Sequence, residues 1–172
     1  MRTADGSELS PFAILSTADA DASPDLSPRG GPPGFVRVLD EHTMLLPDRP
    51  GNNRLDSLRK VAENPRIALL FLVPGVEETL RVYGSCELVA AGELTLDLAD
   101  HGRAPRSALV VHVTYAFFHC AKALMRSGLW DQQEQIDRAD FPTMGELMRA
   151  HAGVTGPAES QEQMRERYTA GL

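Results

Sequence analysis

The chain has 172 residues, with 24 acidic and 17 basic side chains and a formal net charge of -7; that balance argues against nucleic acid or an anionic membrane surface as a partner. A single domain over 1–172 with a helical tail from about Asp137 is expected, because a chain this long buries roughly two-thirds of its unfolded surface without disulfides or a structural metal. The longest apolar run, Ile67–Val73, is far shorter than the about 20 residues of a membrane-spanning helix. Met1–Gly6 lacks the basic-then-apolar pattern of a signal peptide, so a cytoplasmic protein with Cys86 and Cys120 reduced is expected.

Phe12–Ala18 is a β-branched and apolar run followed by turn residues, which predicts a strand and a turn. A second strand starts at Asp25–Ser27, and Pro28–Gly34, with three prolines and three glycines, is expected to interrupt it as a loop or bulge. Phe35–Leu39 and Met44–Leu46 flank a polar link and suit a β-hairpin. After the loop Pro47–Asn53, the residues Leu55, Leu58, Val61 and Ala62 fall at helical spacing until Asn64-Pro65, with Asn53 the expected cap and Asp56 in the first turn. Arg66–Val73 reads as a nearly continuous apolar strand buried on both faces, joined by a turn at Pro74-Gly75 to Thr79–Val89, where Leu80, Val82, Cys86 and Leu88 alternate. Ala91–Ala99 is a short helix candidate and Ser107–Val113 a strand. Phe117, Ala121 and Leu124 mark a helical face ending near Gly128. Thr143-Met144-Gly145-Glu146 has the form of a capping box, and Pro157–Tyr168 predicts a polar surface helix. About six strands with short links exclude a doubly wound sheet and point to an antiparallel barrel or an α+β sheet.

The charge distribution says more than the total. Met1–Pro28 holds five acidic residues and one basic, whereas Arg29–Lys60 holds Arg29, Arg37, Arg49, Arg54, Arg59 and Lys60 against four acids. Arg49 and Arg54 bracket a glycine loop that opens a helix, where backbone N–H groups and guanidinium groups suit a phosphate; alternatively they are solvated charges paired with Asp48 and Asp56. In Ser27–Gly31 the glycines allow close backbone approach and Arg29 can meet an anion, or the segment is a barrel corner. It matches neither the dinucleotide nor the phosphate-loop glycine pattern.

The five histidines and two cysteines show no metal-binding spacing, so no metal is expected. There is no GxSxG elbow, and Cys120 reads as a buried cysteine on a helix more readily than as a nucleophile. Trp130 is either a stacking platform for a flat ring or an aromatic sealing a barrel end.

Four blocks in order, Ser27–Asp40, Leu46–Arg54, Glu63–Phe71 and Phe117–Leu124 with Arg126–Trp130, resemble the pyridoxamine 5'-phosphate oxidase-like proteins, in particular their subgroup of FMN-dependent enzymes without a settled substrate. The resemblance spans roughly Ser10–Asp131. It implies a mainly β chain, a six-stranded antiparallel split β-barrel with peripheral helices, forming a homodimer with FMN in a cleft between subunits. By the same resemblance Arg29 and the Asn53-Arg54 pair hold the FMN phosphate with Ser27 beside them, Gly30 and Arg49 count among the cofactor-binding residues, Pro47 and Asp48 line the isoalloxazine through backbone groups, and Thr79 reaches its polar edge. Lys122, Ser127 and Trp130 come from the C-terminal block, across the dimer interface, with Lys122 near the N1 and O2 edge of the ring. The implied activity is an FMN-dependent oxidoreductase acting on a small organic molecule, with NAD(P)H a candidate donor. The alternatives on the same fold are a flavin- or haem-binding carrier or sensor without turnover, and a protein that uses a deazaflavin. Only nine residues precede Ser10, fewer than the family's usual lead, so either an altered subunit edge or a sequence that starts late is expected. Asn53-Arg54 stands where the oxidase itself has two basic residues, and its substrate-binding C-terminus is missing. Pyridoxamine phosphate is therefore not the expected substrate.

Overall fold

The computed structural model describes residues 4–49, 55–92, 98–99, 103–153 and 155–170. They fall into two compact units, Met1–Trp130 and Asp131–Leu172. The first is mainly β: strands β1 (Phe12–Ala18), β2 (Pro24–Gly30), β3 (Arg37–Val38), β4 (Thr43–Pro47), β5 (Arg66–Leu72), β6 (Thr79–Ala90) and β7 (Ser107–His119), with helices α1 (Ala4–Ser7), α2 (Asp56–Glu63) and α3 (Lys122–Ser127). All pairings are antiparallel, in the order β2-β1-β5-β6-β7-β4-β3. Seven strands are present where the resemblance implies six; the hairpin arm expected over Phe35–Leu39 pairs over Arg37–Val38 alone, as a two-residue strand at the edge of the sheet.

The period-two geometry of a strand, rather than an alternation of apolar and polar residues, decides which face is buried: Arg66–Leu72, expected to be buried on both faces, turns only one of them into the core. β1 and β5 each bury every second residue, so Ala13, Leu15, Ile67, Leu69 and Phe71 enter one core with Val36, Met44, Leu46, Leu80, Val82, Leu109 and Val111. Each large side chain buried there contributes roughly 1.5–3 kcal/mol. Ser10 fastens the sheet at this point: its buried Oγ lies 2.7 Å from the Leu72 carbonyl and accepts from the Phe12 N–H. A smaller cluster, Leu45, Leu98, Ala108 and Val110, covers part of the outer face of β4 and β7.

α2 packs against β1, β2 and β6, with Val61 in the core and Lys60 Nζ donating to Asp19 Oδ2 at 2.8 Å and to the Ser23 carbonyl. The helix begins at Asp56, and its cap position is Leu55, held at φ 58° with no side-chain cap. This corrects the expected Asn53 cap: the residue next to the helix is Leu55, and Asn53 lies outside the described residues.

β2 continues through Pro28 to Gly30 instead of breaking after Ser27. Proline is tolerated because β2 is an edge strand, pairing only with β1. β7 also exceeds its expected end: Phe117 lies in the strand opposite Arg81, and only Lys122–Ser127 is helical, ending at Gly128 (φ 58°). The expected helix over Ala91–Ala99 falls mostly outside the described residues.

The second unit has short 3-10 turns at Gln132–Glu134 and Arg138–Asp140, and helices α4 (Met144–Ala152) and α5 (Gln161–Thr169). α4 carries the capping box read from Thr143 and Glu146; α5 carries one from Ser160 and Gln163. No described helix is long and apolar enough to cross a membrane.

Candidate functional site

Arg29 stands on β2 at 9% exposure. It belongs to the inward row Arg29, Ala13, Phe71, Leu80 formed by successive strand pairs. A charge is costly there unless opposite charges face it, and two do. Its Nη1 lies 3.9 Å from Asp48 Oδ1. Burial lowers the affinity of the guanidinium for its proton, while Asp48 and then Asp25 raise it; an arginine keeps its charge under such opposing influences. β2 is one end of the strand order and Asp48 directly follows β4, next to the other end. The pair therefore joins regions that the hydrogen-bonded ladder keeps apart, as the closure of a barrel requires.

Asp48 is itself held. Ser107 Oγ donates to its Oδ2 at 3.1 Å, and its own N–H donates to the Ser107 carbonyl at 3.0 Å. Pro47, buried, is opposite Ala108 at the same end of β7. Arg49 Nη2 donates to the Leu98 carbonyl at 3.4 Å, and its Nε lies 3.5 Å from where a Cβ on Gly31 would stand. Ser27 shares the face of Arg29 by strand alternation. Asp25, on the same face, accepts from Ser57 Oγ at 3.1 Å, and Ser57 is buried in the first turn of α2. The start of α2 thus faces the inner side of β2 at Asp25, on the same face as Arg29 and four residues before it. Asn53 and Arg54 lie outside the described residues.

The other candidates are elsewhere. Gly30 is exposed on the outer face, opposite Phe12. Thr79 pairs with His119 at the far end of the β6–β7 hairpin from Ser107, and it too points outward, since Leu80 points in. Lys122 and Ser127 are exposed on α3, and Ser127 Oγ donates to the Leu124 carbonyl. Trp130 is half-buried, with its indole N–H on the Val76 carbonyl at 2.8 Å, so it is pinned to the turn between β5 and β6. One chain thus brings Ser27, Arg29, Pro47, Asp48 and Arg49 together, and sets Thr79, Lys122, Ser127 and Trp130 around the opposite end of β7.

Sequence reasoning missed Asp25, Ser57 and Ser107. Ser57 had a signal, because a serine on the apolar face of an amphipathic helix needs a partner; Ser107 had none, since its role depends on β4 pairing with β7. Among the described residues no three His, Cys, Asp or Glu side chains cluster so as to hold a metal ion. A buried guanidinium, a second one nearby and a helix start on the same side make a cradle whose chemistry suits an anion such as a phosphate.

The fold has known counterparts. HupZ from Group A Streptococcus is similar at 20% identity and a TM-score of 0.54, covering 69% of this chain and 94% of that one. An F420 reductase is similar at 18% identity and a TM-score of 0.50, covering 66% and 94%. At these identities the likeness concerns the fold. No match was found among curated proteins. Residues 4–120 match the family model described as pyridoxamine 5'-phosphate oxidase. Spanning more than half of the chain and containing every strand of the barrel, that match shows that the protein belongs to the pyridoxamine 5'-phosphate oxidase family.

Proposed function

We propose that this protein is a cytoplasmic, homodimeric FMN-dependent oxidoreductase acting on a small organic substrate, with NAD(P)H as the electron donor. The observation that carries the reading is the buried Arg29, brought by barrel closure beside Asp48, on the face that the start of α2 meets at Asp25. Burying a guanidinium is expensive, and a cradle of two arginines beside a helix start fits the phosphate of a flavin mononucleotide. In this reading Arg29 and Arg54 bind the phosphate, with Ser27, Arg49 and Asn53 around it. Pro47 and Asp48 present backbone groups to the ring system. The flavin supplies hydride transfer when bound; the protein supplies binding, orientation and charge.

The outer sheet face supports the dimer. Leu26, Phe12, Tyr115 and Phe117 are exposed on four residues' worth of β2, β1 and β7, and Tyr83, Tyr115 and Phe117 stack at centroid distances of 4.8–6.3 Å. An apolar sheet face of this kind suits an interface between subunits. Gly30 and Thr79 lie on that outer face as well, so a partner there would place its Lys122, Ser127 and Trp130 counterparts near them.

The test is the visible spectrum of protein purified without added cofactor and its change with NADPH. A two-band flavin spectrum that bleaches supports the reading; protein that stays colourless and takes up no FMN rejects it. Flavin that binds but is reduced by no nicotinamide favours a carrier or sensor. Arg54→Ala is expected to weaken FMN binding by about 1.5–3 kcal/mol, the worth of a hydrogen bond to a charged group, in a fluorescence titration.

A further inference from the structure

We propose that Asp48 is a built-in counter-ion of Arg29, restrained by Ser107, that an incoming anion must displace, so that this carboxylate sets the affinity and charge preference of the cradle. The inference rests on the reading of Arg29 as a phosphate ligand, and adds to it a residue that opposes the ligand.

Three observations carry it. First, the pair is well removed from water, with side-chain exposures of 9% for Arg29 and 18% for Asp48, so their charges act on each other with little screening. Second, the separation is 3.9 Å, longer than the 2.7–2.9 Å of a charge-assisted hydrogen bond. The pair attracts by charge without the geometry that would lock the two groups directly together. Third, the cause of that spacing is visible. Ser107 Oγ holds Asp48 Oδ2, and the backbone N–H of Asp48 is fixed to the Ser107 carbonyl. Ser107 opens β7, whose pairing with β4 fixes where it stands. The carboxylate is therefore held through Oδ2 by Ser107 and leaves Oδ1 toward Arg29.

This arrangement has consequences for binding. Without a ligand, Asp48 balances a buried positive charge that would otherwise be costly. With a phosphate in the cradle, the same carboxylate repels it. With Asp25 on the same inward face of β2, the carboxylates lower the affinity of the cradle for a doubly charged phosphate monoester such as that of FMN. Ser107 is a positioning residue: its hydroxyl keeps the carboxylate from closing onto Arg29 and competing with the ligand at full strength.

The experiment compares wild type, Asp48→Asn, Ser107→Ala and Ser107→Thr. Asp48→Asn keeps an oxygen for the Ser107 hydroxyl and removes only the charge. FMN and riboflavin are titrated by fluorescence, and inorganic phosphate binding is followed by phosphorus NMR. Asp48→Asn is expected to tighten FMN and phosphate by about tenfold, a fraction of what a unit charge is worth at this separation, and to leave riboflavin, which has no phosphate, unchanged. Ser107→Ala is expected to weaken FMN several-fold, with Ser107→Thr restoring it. A merely structural role would move FMN and riboflavin together. The inference is overturned if Asp48→Asn binds FMN and phosphate no tighter than wild type, or if Ser107→Ala leaves both affinities unchanged. If no form takes up FMN, the flavin reading fails and the phosphate titration alone decides the role of Asp48.

Discussion

Cys86 and Cys120 share a chemistry and differ in everything around it. Cys86 is in the core at 4% exposure, and burial pushes its thiol up from 9.0 to about 12, whereas Cys120, expected to be buried on a helix, is exposed in the link between β7 and α3 because the strand runs on to His119. At pH 8 a thiol reagent should therefore titrate one cysteine rapidly in native protein and two after denaturation; two rapid equivalents would contradict the burial. The shift also has a sign for stability. A thiol raised in the folded state contributes stability that is complete below about 9 and is lost as pH rises toward about 12, because the unfolded chain ionises first. Cys86→Val should flatten that part of the alkaline unfolding curve. Thr17 is a different residue-scale case: 3% exposed on β1, its Oγ1 finds no hydrogen-bond partner among the described residues. Thr17→Val removes an unsatisfied hydroxyl while nearly keeping the shape, and should raise stability by about 1 kcal/mol in a urea melt.

Two glycines show how elements constrain residues. At the register shift between Tyr83 and Gly84, β6 approaches β7 so closely that a Cβ on Gly84 would collide with the His112 carbonyl. Gly75, in the turn after β5, has φ 81° but open space around it. Gly84→Ala should therefore cost more than about 2 kcal/mol through displaced backbone, and Gly75→Ala about 1 kcal/mol through the left-handed conformation alone; equal losses in thermal melts would refute the distinction. The bulge also explains the misread end of β7. Beyond it Tyr115 and Phe117 keep the alternation of a strand, but Phe117, Ala121 and Leu124 coincide with helical spacing, and nothing local separates the two periods. Only the partner strand, with Arg81 opposite Phe117, decides. β2 posed the converse problem, since Pro28 is a strand breaker anywhere but at the sheet edge, and edge position is a property of the topology.

At the scale of the whole molecule, the barrel leaves an apolar outer face uncovered, with Leu26 at 70% and Tyr115 at 54% exposure. If subunits pair through it, light scattering should give a dimer at micromolar concentration. Leu26→Glu and Tyr115→Glu, both at exposed positions, should then shift the mass toward monomer without lowering the melting temperature of the separated subunit. A monomeric wild type with full flavin affinity would refute the shared cleft. The pairing of distant strands also makes this a sheet of high contact order, so its folding should be slower than that of a helical protein of equal length.

The amino-acid order determined what depends on neighbours in sequence. The strands at Phe12–Ala18 and Arg66–Leu72, the short helix before Asn64-Pro65, the left-handed stop at Gly128 and the Thr143 capping box follow from apolar and β-branched runs, proline geometry and local hydrogen bonds, and each lies where those rules put it. The basic segment from Arg29 to Lys60 was also legible, because charge is additive along a chain. Tertiary structure decided which arginine is buried and what faces it. Arg29 and Asp48 are nineteen residues apart by their numbers, and closing the barrel sets them 3.9 Å apart; Asp48 and Ser107 are separated in sequence by β5 and β6, and the pairing of β4 with β7 sets them 3.1 Å apart. The same closure separates Thr79 and Gly30, which face outward, from Arg29, which faces in. Strand alternation assigns faces only once it is known which side of the sheet becomes the core.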